Sequence, residues 1–551
     1  MKGTIRKAAL PALALILGMS TFLAACSSNE TAGENAGKNA GKNNTAQTAD
    51  SNAKAPEPVT LKVMLFGEKP ADLEKVLAKF EEETKDTLNT KLNIEYNPPA
   101  DHKQKMQLKM STGESVDLMF DAPWMFLYNN VSQGYYQQLD KYFNNDEYPG
   151  LKQAFPSELI EANKINGHSY TIPFMTSYSD PFVINIRKDI REELGLPPVK
   201  TLADYKNYLE KVQEKHPDYV PAAIGGRGIY RLGIPEEKGH NDIRLAAVVQ
   251  DSFTGGIPFS VALSADGKKM LGAATIGDPD SEFASFPAPF NTHDSIYGHF
   301  GLRTEFRKFN NKDPLSAQAN SALDPAKNAS TEGTINGLVF GKKDLKKVVP
   351  NGDLEPFFYT SQDIADMKPG AIRTDFRANN SVVIPASSKN IDRTMKFLDW
   401  LYSSKDNHDL FELGIEGEHW VKDGDNGYKT TDKTTNYLFQ GYELTWNPTL
   451  SRINTDNDPE TIKYIQYTMD KNSYYQIPLS GFVFDSKPVA TEIAQIKPKL
   501  QETADILMTG LEPKWKELAQ KSNSEWRQLG LEKVRAEVIK QVQAYLDAGG
   551  K

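Results

Sequence analysis

SVVIPASSKNIDRTMKFLDWLYSSKDNHDLFELGIEGEHW runs from Ser381 to Trp420. It opens on an apolar run, Val382-Val383-Ile384, stopped by Pro385, which reads as a strand or a crossing segment. Asn390 stands where a helix N-cap is wanted, with Asp392 in the first turn. Ile391, Met395, Leu398 and Tyr402 recur at helical spacing and form one apolar face. A second short helix, Asp406 to Leu413, ends at Gly414, a residue that tolerates a left-handed cap. Gly417 and Trp420 follow in a turn.

This order of parts resembles the back half of family 1 extracellular solute-binding proteins, in particular the LplA-type lipoproteins of Gram-positive carbohydrate importers. There an Ile-Pro-Ala, Ser-Lys-Asn start leads to a Phe-Leu-Asp-Trp-Leu-Tyr-Ser helix and then to Gly-Ile-Glu-Gly. Here these parts are Ile384 to Ala386, Ser388 to Asn390, Phe397 to Ser403 and Gly414 to Gly417. Ile391 departs from the proline usual there, which only pre-sets the first turn. The resemblance implies an α/β, periplasmic-binding-protein-like fold of type II, two lobes joined by a hinge with a ligand cleft between them. The lobes would be discontinuous: 59–180 with 384–477, and 181–383 with 478–551.

Length and composition agree with a large soluble body. The chain has 551 residues, 39% hydrophobic and 25% charged, with a net charge of −9. That length builds two cores, and the acidity argues against a nucleic-acid partner. The one cysteine, Cys26, excludes an intrachain disulfide and a cysteine-based zinc site. Lys2, Arg6 and Lys7 precede an apolar stretch, Ala8 to Ala25, which closes on Leu23-Ala24-Ala25-Cys26. This is the grammar of a secretory signal, and the last four residues resemble a lipobox. Residues 1–25 are therefore expected to be removed and Cys26 to be acylated, anchoring the protein on the outer face of a bacterial cell membrane. Removal takes away three positive charges and no negative ones, moving the net charge from −9 to −12. Ser27 to Pro58 carries no large apolar residue and reads as a tether, with a coil dimension on the order of 30 Å.

The folded body starts at Val59. Val59 to Leu65 alternates as a strand, Leu73, Val76, Leu77 and Phe80 mark a helix, and Leu92, Ile94 and Tyr96 alternate again. That is a βαβ unit, so the strands are parallel. A helix near Asp101 to Ser111 and a strand at Val116 to Phe120 extend an open sheet, where ligands bind outside the carboxyl ends of strands. Asp121 and Trp124 stand at such an end. They suit a sugar, the carboxylate accepting from hydroxyls and the ring stacking on a pyranose face; a helix-capping Asp and a buried Trp fit equally.

Asn166-Gly167 reads as a hairpin turn. Lys215 to Pro221 lacks the alternating oxygen ligands of a calcium loop. Gly225-Gly226-Arg227-Gly228 reads as a plain turn, and Gly333 to Val349 as strand and turn. Asp423 to Gly427 reads as a hairpin in preference to a calcium site, so neither metal nor cofactor is expected. Two further helices, around Ile493 to Leu507 and Leu531 to Tyr545, end the chain.

The functional expectation is a monomeric binding protein that captures an oligosaccharide by hinge closure and delivers it to the permease subunits of an ABC importer. The expected contacts are Asp121, Trp124, Tyr178, Phe376, Trp420 and Trp446, each as able to serve a core as a ligand. A peptide-binding lipoprotein is the alternative, and a secreted glycoside hydrolase a further one. A glycosidase acid pair is defined in space and leaves no sequence mark here. Neither a Gly-x-Ser-x-Gly elbow nor a His-Glu-x-x-His is present.

Overall fold

The computed structural model describes residues 56–223, 232–234, 238–243, 259–315 and 324–550. Cys26, the signal, the tether up to residue 55 and the Gly225 to Gly228 turn lie outside these residues.

The first sheet grows from the βαβ unit. β1 (Val59–Phe66), α1 (Leu73–Thr84) and β2 (Thr90–Asn97) form it, and β1 pairs with β2 in parallel from Val59↔Thr90 to Phe66↔Asn97. α2 (Pro99–Thr112) leads to β3 (Leu118–Asp121), which joins β1 on its other side. The alternation in β1 does not leave a wet face. Leu61, Val63 and Leu65 pack with Leu73, Val76 and Phe80, while Met64 packs with Met106 and Met110 on the opposite side. Both faces are covered, as a parallel sheet requires.

β4 (Thr171–Phe174) and β11 (Asn380–Val383) complete this sheet in the order β2-β1-β3-β11-β4, with β11 antiparallel to both neighbours. Val382 and Val383 are therefore a sheet strand. β11, which the expected lobe limits place with residues 181–383, hydrogen-bonds to β3 and β4 of the first sheet. α5 (Ile391–Tyr402) follows, as expected from its spacing. Asn390 occupies the N-cap position, but its side chain donates to Asp117 Oδ1 at 3.2 Å and leaves the helix uncapped. α6 (Lys405–Glu412) begins at Ser404, whose hydroxyl accepts from Asn407 N, and Gly414 follows at φ +89°.

The second lobe holds the antiparallel sheet β8-β5-β9, made of β5 (Phe182–Arg187), β8 (Ser330–Thr334) and β9 (Leu354–Phe357). α3 (Leu202–Lys215) covers it with Tyr205, Tyr208, Leu209 and Val212. The segment read as strand and turn after Gly333 is instead β8 followed by α4 (Ile335–Val348). Thr334 caps it by accepting from Gly337 N, and Ile335, Leu338 and Leu345 are buried. Gly337 and Gly341 weaken the local helical signal there, and packing overrides it.

A separate core joins the hairpin β6 (Ser260–Leu263) and β7 (Met270–Ala274) to α7 (Ala490–Thr509), α8 (Trp515–Gln528) and α9 (Leu531–Asp547). Within it Asp278 is fully buried, accepting from Asn523, Arg527 and Arg535 at 2.7–3.0 Å.

The chain passes between the sheets at 175–181, 358–379 and after residue 476. β10 (Ile372–Thr374) pairs in parallel with a strand of the last passage, Tyr474–Gln476. A turn at Asp423 to Gly427 joins β12 (Trp420–Lys422) to β13 (Gly427–Thr430) as the expected hairpin, edged by β14 (Ile453–Asn454); Tyr474–Gln476 is β15.

Candidate functional site

The carboxyl ends of β1, β2 and β3 meet a loop, Gln440 to Asn447. Phe66 ends β1, Asn97 ends β2, and Trp124 follows β3. The loop contributes Tyr442, Glu443 and Trp446. Four rings, those of Phe66, Trp124, Tyr442 and Trp446, are each partly exposed. Phe66 lies 5.6 Å from Trp124 and 5.8 Å from Tyr442, and Tyr442 lies 5.8 Å from Trp446 at 75°. Phe120 stacks beneath Phe66 at 5.4 Å. Trp124 is fixed at its far edge, where Nε1 donates to Asn380 Oδ1 at 3.1 Å.

The loop is held from behind. The Tyr402 hydroxyl donates to Leu444 O at 2.5 Å, and His408 Nε2 donates to Thr445 O at 2.8 Å. Thr445 Oγ1 donates to the Glu412 carboxyl, and Asn447 Nδ2 donates to Ala154 O at 3.0 Å. Met175 N donates to Trp446 O at 3.2 Å, which ties the loop to the first passage between the lobes.

Glu443 is the unusual group. It is fully buried, and neither carboxyl oxygen has a hydrogen-bond partner. Burial pushes its pKa up to about 9. Its Oε1 lies 2.1 Å from where a Cβ of Gly67 would stand, and the Tyr442 hydroxyl lies 3.3 Å from the same point. Gly67 itself is at φ +141°, a region closed to other residues. The Tyr96 hydroxyl and Asn97 Nδ2 are also buried without a partner. Buried polar groups without partners are costly, and they concentrate where function needs them.

Of the six expected contacts, the structure brings Trp124 and Trp446 together. Asp121 is fully buried and serves the fold. Its Oδ1 accepts from Ala122 N at 2.7 Å and Phe126 N at 3.2 Å; its Oδ2 accepts from Asn130 Nδ2 at 3.1 Å and the Tyr136 hydroxyl at 2.5 Å. Burial nevertheless raises its pKa to about 6. Tyr178 and Phe376 face each other at 5.5 Å in the passages between the lobes, and Tyr178 meets Tyr474 at 5.6 Å. Trp420 is 3% exposed, donates to Gly414 O at 2.9 Å, and lies under Arg452 at 5.5 Å, in the β12 hairpin. Phe66, Tyr96, Tyr442 and Glu443 were not expected. The strand-end rule that selects Trp124 also selects Phe66 and Asn97, and Tyr442 and Glu443 share the loop of Trp446.

Asp72, Glu418 and His419 bring three possible metal ligands within 4.8 Å of one another. They do not suit a metal. Lys75 Nζ sits 3.0 Å from both Asp72 Oδ2 and Glu418 Oε1. His419 Nδ1 accepts from Ile415 N at 2.9 Å, so Nε2 carries the proton and donates to Asp72 at 3.2 Å. Lys75 and then His419 hold Asp72 below the usual carboxylate range.

Residues 67–408, more than half of the chain, match the family of bacterial extracellular solute-binding proteins. The chain belongs to that family. The solute-binding protein is 24% identical, over 548 residues and 97% of each chain, to a carbohydrate ABC transporter substrate-binding protein of Streptococcus pneumoniae. Its fold is similar to that of NgtS, the N-glycan transport solute-binding protein of Streptococcus pneumoniae. The TM-score is 0.67 at 21% identity, covering 89% of this chain and 99% of that one. It is also similar to an HMO-binding, ABC-transporter-associated protein of Bifidobacterium longum infantis, with TM-score 0.59 at 16% identity over 90% and 100% of the chains. The expected two-lobed type II α/β fold is the fold of these relatives. The family is one of binding proteins that work outside the cytoplasm, not of enzymes. No helix among the described residues is long and apolar enough to cross a membrane. Residues 478–547, which include α7 to α9, match a domain of unknown function, DUF3502.

Proposed function

We propose that this solute-binding protein captures an oligosaccharide between its lobes and delivers it to the permease subunits of an ABC importer. It does so as a monomer held at the outer face of the cell membrane by lipid on Cys26. The observation that carries the reading is the set of four partly exposed rings at the strand ends, above a buried carboxyl. Flat apolar faces beside a few polar groups are what a pyranose presents surfaces for. The relatives support the same class: one is named for carbohydrate transport, and NgtS has been solved with Man1GlcNAc and Man5GlcNAc.

Calorimetry and thermal unfolding of the mature body against neutral oligosaccharides, uronate oligosaccharides and peptides test the reading. A sugar at a hundredfold its dissociation constant should stabilise by about 2.7 kcal/mol. Stabilisation by peptides alone would replace the reading with peptide capture, and release of reducing ends with hydrolysis. Labelling by a palmitate analogue in cells, abolished by Cys26→Ala, tests the anchor.

A further inference from the structure

A cavity of about 390 Å³ opens where β9 leaves the second-lobe sheet. Its walls are Lys200 to Leu202, at the start of α3, and Phe357 to Asp363, which run from the end of β9 into the second passage. Burial alternates along the second wall: Phe357 and Tyr359 are buried, Phe358 and Thr360 partly exposed. Extended backbone turns such pairs to opposite sides. Phe357 lies 5.7 Å from Tyr205 and, with Tyr359, belongs to the second-lobe core. Phe358 instead packs against the first-lobe core and lies 4.8 Å from Tyr464, on the helix Pro459–Met469. The cavity is therefore walled from both lobes, and none of its residues belongs to the ring cluster of Trp124 and Trp446.

Its lining suits an uncharged, hydroxyl-rich ligand. Phe358 offers a partly exposed ring, and Thr360 adds a hydroxyl. The Ser361 hydroxyl accepts from Ile364 N at 3.4 Å, which leaves its O–H to donate elsewhere. The start of α3 does not call for an anion, because Thr201 and Asp204 already close it as a capping box, Thr201 N donating to Asp204 at 3.0 Å and Asp204 N to Thr201 at 3.1 Å. Lys200 lies within electrostatic reach of the Asp204 carboxylate, and Asp363 is paired with Lys368 at 2.6 Å. A ring beside a few hydroxyls, in a space of this size, is how proteins hold a small polar ligand.

Resting on the oligosaccharide reading, we propose that this cavity is a second saccharide subsite, which takes a neutral sugar unit of a chain longer than the ring cluster can hold. A unit seated there touches both lobes, so its binding favours the lobe arrangement that encloses it. The protein thereby selects for chain length: a short sugar fills the ring cluster alone, and a longer one fills both places.

Calorimetry on wild type, Phe358→Ala and Thr360→Val tests this, with unfolding temperature recorded for each. The probes are a mannosyl-N-acetylglucosamine disaccharide and a longer neutral oligomannosyl-N-acetylglucosamine. Wild type should bind the longer probe about tenfold or more tightly than the disaccharide, and Phe358→Ala should remove most of that advantage while holding the disaccharide within about twofold of wild type. Thr360→Val keeps the side-chain shape, and it decides the matter if Phe358→Ala does not fold. A merely structural role would weaken both probes alike, and that result overturns the proposal. Variants that weaken neither probe overturn it too, as does a wild type that shows no preference for the longer probe or binds neither. A wild type that binds peptides and no sugar of any kind fails at the oligosaccharide reading itself, a result distinct from these.

Discussion

Asp121 and Glu443 are both buried carboxyls, yet their surroundings give them opposite work. Asp121 accepts from four donors and organises the turn that carries Trp124. Asp121→Ala should therefore destabilise by about 2–4 kcal/mol in denaturant unfolding, because four donors are orphaned at once. Glu443 has no donors. Its folded pKa, about 9, stands above its unfolded value of 4.5, so the stability present at acid pH is lost as pH rises through that window. Glu443→Gln removes the titration. Its stability relative to wild type should grow from about pH 5 to pH 9, which unfolding curves at stepped pH will read. Trp124→Ala should weaken sugar binding about tenfold or more in calorimetry while leaving the unfolding temperature nearly level, since the ring is partly exposed.

At the scale of elements, α5 is tied to the helix Pro149–Ala154 by close backbone approach. A Cβ on Gly150 would stand 2.1 Å from Asp399 O, and the Asp399 carboxylate accepts from Leu151 N at 3.0 Å. Gly150→Ala should cost about 1–3 kcal/mol of unfolding free energy by forcing the helices apart. This contact was not legible in the sequence, whereas α5 itself was. Ile391, Met395, Leu398 and Tyr402 show their shared face by spacing alone, as do Val76 and Phe80 of α1. Spacing says which face is buried and not what lies against it. That is why the β1–α1–β2 unit was readable and the pairing of β11 was not: β3 and β4 lie more than 200 residues from it in the chain. The site follows the same rule. Trp124 and Trp446 could be picked as residues, but an orphaned carboxyl such as Glu443 is a property of packing. α4 escaped because two glycines dilute its pattern.

The two lobes share three passages, and tyrosines join them. The Tyr474 hydroxyl lies 2.5 Å from Thr468 O and 2.8 Å from Ser179 O and shares its one proton between them, and Thr374 Oγ1 donates to Tyr178 O at 2.5 Å. Phe376 holds φ +56° between them. Lys342 of α4 also pairs with Asp458 at 2.6 Å, holding that carboxylate well below its ordinary range. Hinges are built from a few such residues. Tyr474→Phe should change sugar affinity and closure, read by small-angle scattering with and without ligand, at a stability cost of about 1–2 kcal/mol.

Each lobe is sewn from segments far apart in the chain. The core of β6 and β7 has no lid until α7 to α9 exist. During synthesis, then, the hairpin near residue 270 must wait for the final seventy-odd residues matched at 478–547 before it can fold. Contacts this distant slow folding, so the hairpin stays exposed until the last helices are made and close over it.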